Sequence, residues 1–338
     1  MSLLGRAYAR RLVVAALRSS VAVGVGAGMM LAPTMAHAFC RTTTTPIPAS
    51  FSPTRGCFTD GFTLFWRGAC VSYSVNSAAS ADIPLADARR VIDTAFKSWN
   101  DVSCGGTGVG ITTSNVGDSA CAQVKYNQYG PNQNVIIFRD GNWPYDDPNN
   151  TLGLTTVTFN AENGEIFDAD MEINASGKNL SISDTVPANG FDLLSVITHE
   201  AGHFLGLAHA TDNKSTMFAS YRPGTSALRT LSADDGAGEC DIYPSATQRR
   251  VDASLSSTGL ISADACDPTP RHGFGAESCA GNPAPEDSGG SSGGCAVAAS
   301  RAGPTDVEHA GLGAVVVVLG LAGSARRARR ARRRGHRA

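Results

Sequence analysis

ITHEAGHFLGLAHA, residues 197–210, gathers three histidines, one glutamate and two glycines in a largely apolar run. His199, His203 and His209 are also the only histidines between Cys40 and His272. Residues four apart share one face of a helix, so His199 and His203 can turn both imidazoles toward one metal ion. Glu200, one step along, can approach metal-bound water without being a ligand. Gly206 is where such a helix can stop, because glycine tolerates positive φ, and the chain can then return and bring His209 to the same ion. Three neutral nitrogen donors with a fourth position open describe a catalytic zinc (Zn2+) site; a structural site would be closed by a fourth residue. The plainer alternative is three histidines that satisfy polar groups in a core.

The run fits HExxHxxGxxH, and on these residues the chain resembles the metzincin metalloproteases. "STMFASY" (215–221) extends the likeness, since metzincins place a methionine turn after the third histidine and Met217 follows His209 by eight residues. The resemblance implies an α+β fold with a twisted mixed β-sheet and an active-site helix above a mostly irregular and helical lower half after Gly206. It also implies one catalytic zinc on His199, His203 and His209, Glu200 as the base, and Met217 as a packing floor beneath the metal.

Within the metzincins, "TMFASYRPGTSALRTLSADDGAGECDIYP" (216–244) is similar to the matrixin pattern of Met, Tyr and a Leu-Ser-x-Asp-Asp helix ending in Tyr. Tyr221 falls where matrixins have the tyrosine of the wall beside the S1′ pocket, and Ala219 stands where astacins and serralysins have a tyrosine. "RRVIDTAFKSWNDV" (89–102) also resembles the first matrixin helix, and the likeness runs over roughly residues 62–245. Three departures matter. No histidine precedes His199 in this region, so the second, structural zinc of typical matrixins is not expected. Residues 39–61 are too short for the usual inhibitory propeptide. "SPTRGCFTD" (52–60) has Gly and Cys in the reverse of the cysteine-switch order, so Cys57 is expected in a disulfide.

Periodicity outlines the supporting elements. "ACVSYSVN" (69–76) alternates like a strand, and "PLADARRVIDTAFKSWNDV" (84–102) puts Leu85, Ala88, Val91, Ile92, Ala95, Phe96 and Trp99 on one helical face. "NVIIFRD" (134–140) reads as a buried strand and 154–174 as a hairpin around Asn163-Gly164. Residues 191–207 read as the active-site helix with Asp192 near its start, and 232–243 as a last helix capped by Ser232. Asp168, Asp170 and Glu172 alternate onto one face of the second hairpin strand. They are expected either to bind calcium, as similar matrixin acids do, or to form a solvated edge.

The ends carry different signals. Residues 1–38 combine Arg6, Arg10, Arg11 and Arg18 with an apolar stretch and the small-x-small "AHA" at 36–38, the pattern of a secretory signal peptide cut near Ala38. Residues 39–61 are a short N-terminal segment, 62–245 the catalytic domain, and 246–294 a Ser/Pro/Gly-rich linker. Residues 295–338 start at Cys295 and join an apolar run, Ala310 to Ala325, to eight arginines. That order resembles the myxobacterial MYXO-CTERM sorting signals, which implies recognition by a sorting machinery and anchoring at the cell surface; a plain membrane anchor is the alternative. The arginines of the two ends mask an acidic body. Of the chain's net charge of −2, residues 39–295 carry about −13, which favours solubility and argues against a nucleic-acid partner.

Setting Cys295 aside, eight cysteines suit disulfides in an oxidising compartment, and the shortest loops would pair 57 with 70, 104 with 121 and 266 with 279. A thiolate metal site is the rival, but no CxxC pair supports it. The expected function is an exported, monomeric zinc endopeptidase acting on extracellular proteins, with an extended substrate antiparallel to the strand around 154–159. The alternative is a surface-anchored, zinc-containing adhesion or binding module with little turnover, for which a base at Glu200 would have no use.

Overall fold

A proline at 84 and apolar residues at helical spacing start the first long helix, and its partner is the helix that carries the histidines. The computed structural model describes residues 38–245, 249, 266–274 and 312–321. In chain order these form β1 (Cys40–Arg41), β2 (Cys70–Asn76), α1 (Leu85–Asn100), β3 (Ser103–Cys104), β4 (Thr107–Gly108) and β5 (Thr112–Ser119). There follow β6 (Val135–Arg139), β7 (Thr151–Asn160), β8 (Ile166–Asn174), β9 (Leu180–Ser181), β10 (Phe191–Asp192) and α2 (Leu193–Phe204). The chain closes with β11 (Leu207–Ala208), β12 (Ser220–Tyr221), α3 (Ala233–Ile242) and β13 (Leu312–Leu321).

The main sheet is mixed, in the order β12-β13-β7-β8-β6-β2-β5. β2 runs parallel to both β5 and β6, β6 is parallel to β8, and β7 and β8 form the antiparallel hairpin expected from Asn163-Gly164, with Gly164 at φ +82°. β2 is buried at every position, so its alternation does not mark one wet face: flanked by β5 and β6, it lies inside the sheet. α1 buries Ala88, Val91, Ile92, Ala95, Phe96 and Trp99, the predicted stripe. Tyr73 of β2 stacks on Phe96 at 4.1 Å, and Phe96 meets Phe204 of α2 edge-on at 5.2 Å. Trp99 Nε1 donates to the Thr198 carbonyl at 2.9 Å, which locks the two helices in register. This α+β arrangement is the expected metzincin architecture.

Two expectations are corrected by packing. Asp168, Asp170 and Glu172 do not form a solvated edge; β8 lies between β7 and β6, and all three are 2% exposed or less. The short-loop disulfides do not form. Cys40 pairs with Cys57, Cys70 with Cys266 and Cys104 with Cys240, across separations of 17, 196 and 136 residues. Cys121 is also disulfide-bonded, but not to Cys104. Loop-closure entropy grows slowly with length, so the fold, which brings these Cα atoms to 4.8–5.5 Å, chooses the partners. Residues 312–321 of the apolar C-terminal run form a strand of the main sheet. Among the described residues no helix is long and apolar enough to cross a membrane. The signal region, Cys295 and the arginine cluster lie outside the described residues.

Contacts of the body also continue past residue 245. Cys266 is bonded to β2, Asn132 bridges to Phe274, and Arg249 is buried with its guanidinium 4.8 Å above the Tyr243 ring. Arg249 donates to the carbonyls of Gly110, Trp66 and Arg67. Arg249→Ala strands these buried acceptors and should cost roughly 2–3 kcal/mol in denaturant unfolding, far more than an exposed arginine would.

Candidate metal centre and its cleft

α2 begins with the Asp192 side chain accepting from Ser195 N at 2.9 Å, and Arg229 holds the same carboxylate through two nitrogens at 2.6 and 2.8 Å. The helix runs through His199, Glu200 and His203 with nearly every residue buried. Gly206 then reverses the chain at φ +99°; a Cβ there would stand 2.9 Å from the Leu64 carbonyl oxygen, so both conformation and space demand glycine. The reversed segment is held by β1, which pairs with β11 in antiparallel register, Cys40 opposite Ala208. His209 follows directly.

The three imidazoles converge: one ligand nitrogen from each lies within 4.8 Å of the others, and His199 Nε2 and His203 Nε2 are 3.0 Å apart. It is the single group of three or more candidate metal ligands among the described residues. His199 Nδ1 lies 2.6 Å from the Thr216 carbonyl and His203 Nδ1 2.8 Å from that of Leu207. A carbonyl only accepts, so both Nδ1 atoms carry the proton and both Nε2 lone pairs face the centre. Burial lowers His199 to about 4 and His209 to about 3, and lowers His203 well below its usual value; for His203 and His209 the neighbouring imidazoles add to the effect. His209 Nε2 has no hydrogen-bond partner. Neutral, oriented nitrogens with an unsatisfied inward atom fit one zinc-like ion.

Glu200 is buried beside this centre, and Thr155 Oγ1 of β7 donates to its Oε2 at 2.7 Å. The carboxylate lies against Gly153, where an added Cβ would stand 2.7 Å from Oε1. Neither Thr155 nor Gly153 carries a motif, so their part in the site becomes visible only when β7 is laid beside α2.

Met217 is buried beneath α2, and a Cβ on Gly202 would collide with its Sδ. Asp235, the second acid of "ADD" in α3, holds the methionine turn. Its carboxylate accepts from Ser215 Oγ, from Thr216 N at 2.8 Å and from Met217 N at 3.2 Å, and it closes a capping box with Ser232. Because Thr216 also supplies the carbonyl for His199, Asp235 reaches the metal centre through one residue. The Asp-Asp pair stood in the sequence, but only as part of a helix pattern.

Tyr221 is buried; its hydroxyl donates to the Thr225 carbonyl and accepts from Asp192 N at 3.0 Å, tying the segment after the methionine turn to the start of α2. Asp168, Asp170 and Glu172 are not drawn together with the histidines. Glu172 is taken by Arg139 and Tyr145, and Asp170 accepts from Lys125 N at 3.0 Å and Val135 N at 2.8 Å. Asp168 keeps one buried oxygen without a partner.

Asp235→Ala should therefore loosen a site it never touches. We expect a fall in zinc affinity of about tenfold or more, read by competition with a chromogenic chelator, alongside a lower unfolding midpoint.

The matrixin family profile matches residues 65–244. Metalloendoproteinase 1-MMP of Arabidopsis thaliana is 28% identical over 197 residues, covering 58% of this chain and 49% of that protein. Matrilysin of Rattus norvegicus is 27% identical over 187 residues, 53% of this chain and 58% of its own length. Metalloendoproteinase 1 of Glycine max is 36% identical over 113 residues, 32% of this chain and 35% of that protein. The chain thus spans between about a third and six-tenths of the length of these relatives. With every strand of the main sheet except β13, the histidine-bearing helix, the glycine reversal and the methionine turn inside the matched residues, this chain belongs to the matrixin family.

Proposed function

We propose that the protein is an exported zinc endopeptidase that hydrolyses peptide bonds of extracellular proteins. The observation that carries the reading is Glu200, seated beside the three inward imidazoles with its Oε2 held by Thr155. His199, His203 and His209 would hold the ion, which when bound supplies a Lewis acid that acidifies water and polarises a carbonyl. Glu200 accepts the proton of the attacking water and returns it to the departing amine. Thr155 keeps the carboxylate facing the cleft, and Met217 with Asp235 holds the floor. β7 offers its backbone to an extended peptide running antiparallel to it, and Tyr221 stands at the wall of the pocket for the residue after the cut bond. An adhesion module with little turnover has no use for the base or its hydroxyl partner.

Export is supported by the disulfides among the described residues, which persist in oxidising compartments. The signal peptide, the sorting role of residues 295–338 and attachment near Cys295 are part of the same proposal. A calcium ion at Asp168 and Asp170 has support in the partnerless oxygen of Asp168 and in burial, which pushes Asp168 up to about 7 and also raises Asp170. A cation there would stabilise the charged pair.

The catalytic assignment is tested by separating metal from turnover. Glu200→Gln should keep about one zinc per chain by elemental analysis and lose casein hydrolysis by about 10²–10⁴-fold, whereas His203→Ala should lose both. Hydrolysis by Glu200→Gln at the parent rate would sink the mechanism.

Calcium has its own pH signature. The folded pKa of Asp168 lies above the unfolded value of about 3.9, so its contribution to stability is complete below that value and is lost as pH rises through about 7. Without calcium the thermal midpoint should fall between about pH 5 and pH 8. Calcium should restore it at the upper pH and not at the lower, and Asp168→Asn should flatten both responses. An unchanged midpoint on adding calcium at about pH 8 would mean that the acids serve only the protein.

A further inference from the structure

We propose that the substrate slot of this protein has an internal occupant, its own C-terminal segment Leu312–Leu321, which competes with protein substrates. The inference rests on the endopeptidase reading for its consequence, but the occupancy is a matter of strand pairing. β13 runs antiparallel to β7 from Leu312 opposite Asn160 to Gly320 opposite Thr151, and at its far end runs parallel to β12, with Gly320 opposite Ser220 and Leu321 opposite Tyr221. It therefore lies between the strand that would bind a substrate backbone and the Tyr221 segment that would wall its pocket. Leu319 sits opposite Gly153, the residue against which the Glu200 carboxylate packs, and the register shifts between Leu319 and Gly320. β13 also lies against α2.

Three features favour this pairing. β7, TLGLTTVTFN, has no charge and no proline, so without a neighbour it is an unprotected ten-residue edge that will accept any strand of matching character. The C-terminal segment is such a strand: LGAVVVVLGL is uncharged and rich in β-branched residues, and its backbone pairs Val315–Val318 with Val157, Thr156, Thr155 and Leu154 in register. The arginines that follow carry charge opposite to the body, where residues 39–295 hold about −13, so long-range attraction between the two favours this pairing. Because the segment belongs to the same chain as β7, its pairing is intramolecular, and linkage of this kind gives an effective concentration on the order of millimolar. A free substrate at micromolar concentration competes poorly with that. The segment would restrain the protease until processing or attachment of residues 295–338 withdraws it.

The test uses the full chain and the double variant Val316→Pro/Val317→Pro. Neighbouring residues of a strand point their N–H groups to opposite sides, so one of the two prolines removes a bond to β7. Two quantities are read: cleavage of a quenched fluorescent peptide, and hydrogen exchange of the peptide fragment covering residues 151–160. The proposal expects cleavage to rise at least about tenfold in the variant and exchange in 151–160 to accelerate. High salt should shift the parent in the same direction, since it screens the attraction of the arginines. Faster exchange with no cleavage by either protein would uphold the occupancy and remove the endopeptidase reading. Equal cleavage and equal exchange in parent and variant would overturn the occupancy and leave that reading intact.

Discussion

The backbone reversal at Gly206 is the constraint on which the site depends. A helix can bring two histidines to one point, but the third must come from chain that has left the helix and doubled back. The positive φ at 206 provides the turn, and the Leu64 carbonyl, 2.9 Å from where a Cβ would be, leaves no room for any other residue. Once reversed, the chain pairs through β11 with β1, and Leu207 turns its carbonyl to His203 Nδ1. One glycine thus sets the position of His209 and the tautomer of His203 together.

Below the metal, the same economy of contacts recurs. Gly202 leaves space for Met217 under α2, and Asp235 binds the turn that holds Met217 while the turn's Thr216 orients His199. α3 is short and its first turn is spent on this capping interaction. The buried carboxylate has four hydrogen-bond partners, Ser215, Thr216, Met217 and Ser232, so its charge is compensated without a basic residue. Such a network is costly to break in part, because the donors left behind on Ser215, Thr216 and Met217 are buried.

On the other side of the cleft, β7 serves two ends. Its Gly153 and Thr155 shape and hold the Glu200 carboxylate, and its outer backbone groups pair with a neighbouring strand. The contacts of the Glu200 carboxylate and the edge pairing of β7 are therefore built on the same few residues. A segment lying along β7 therefore passes the Glu200 carboxylate.

The shared face of His199 and His203, the reversal at Gly206 that returns His209, and the ends of α1, α2 and α3 could be read from the chain, because each depends on contacts within a few residues: i,i+4 spacing, an N-cap, or a glycine at a helix end; Met217 was legible only through the family resemblance. The disulfide partners could not, since bonds spanning 136 and 196 residues depend on which strands the fold brings side by side. The same holds for Asp168, Asp170 and Glu172, whose alternation is identical in an edge strand and an inner one; only the place of β8 between β7 and β6 buries them. The valine run at 315–318 is the sharpest case. Its composition does not say what it pairs with; the register with β7, 155 residues or more away in sequence, is set by tertiary structure.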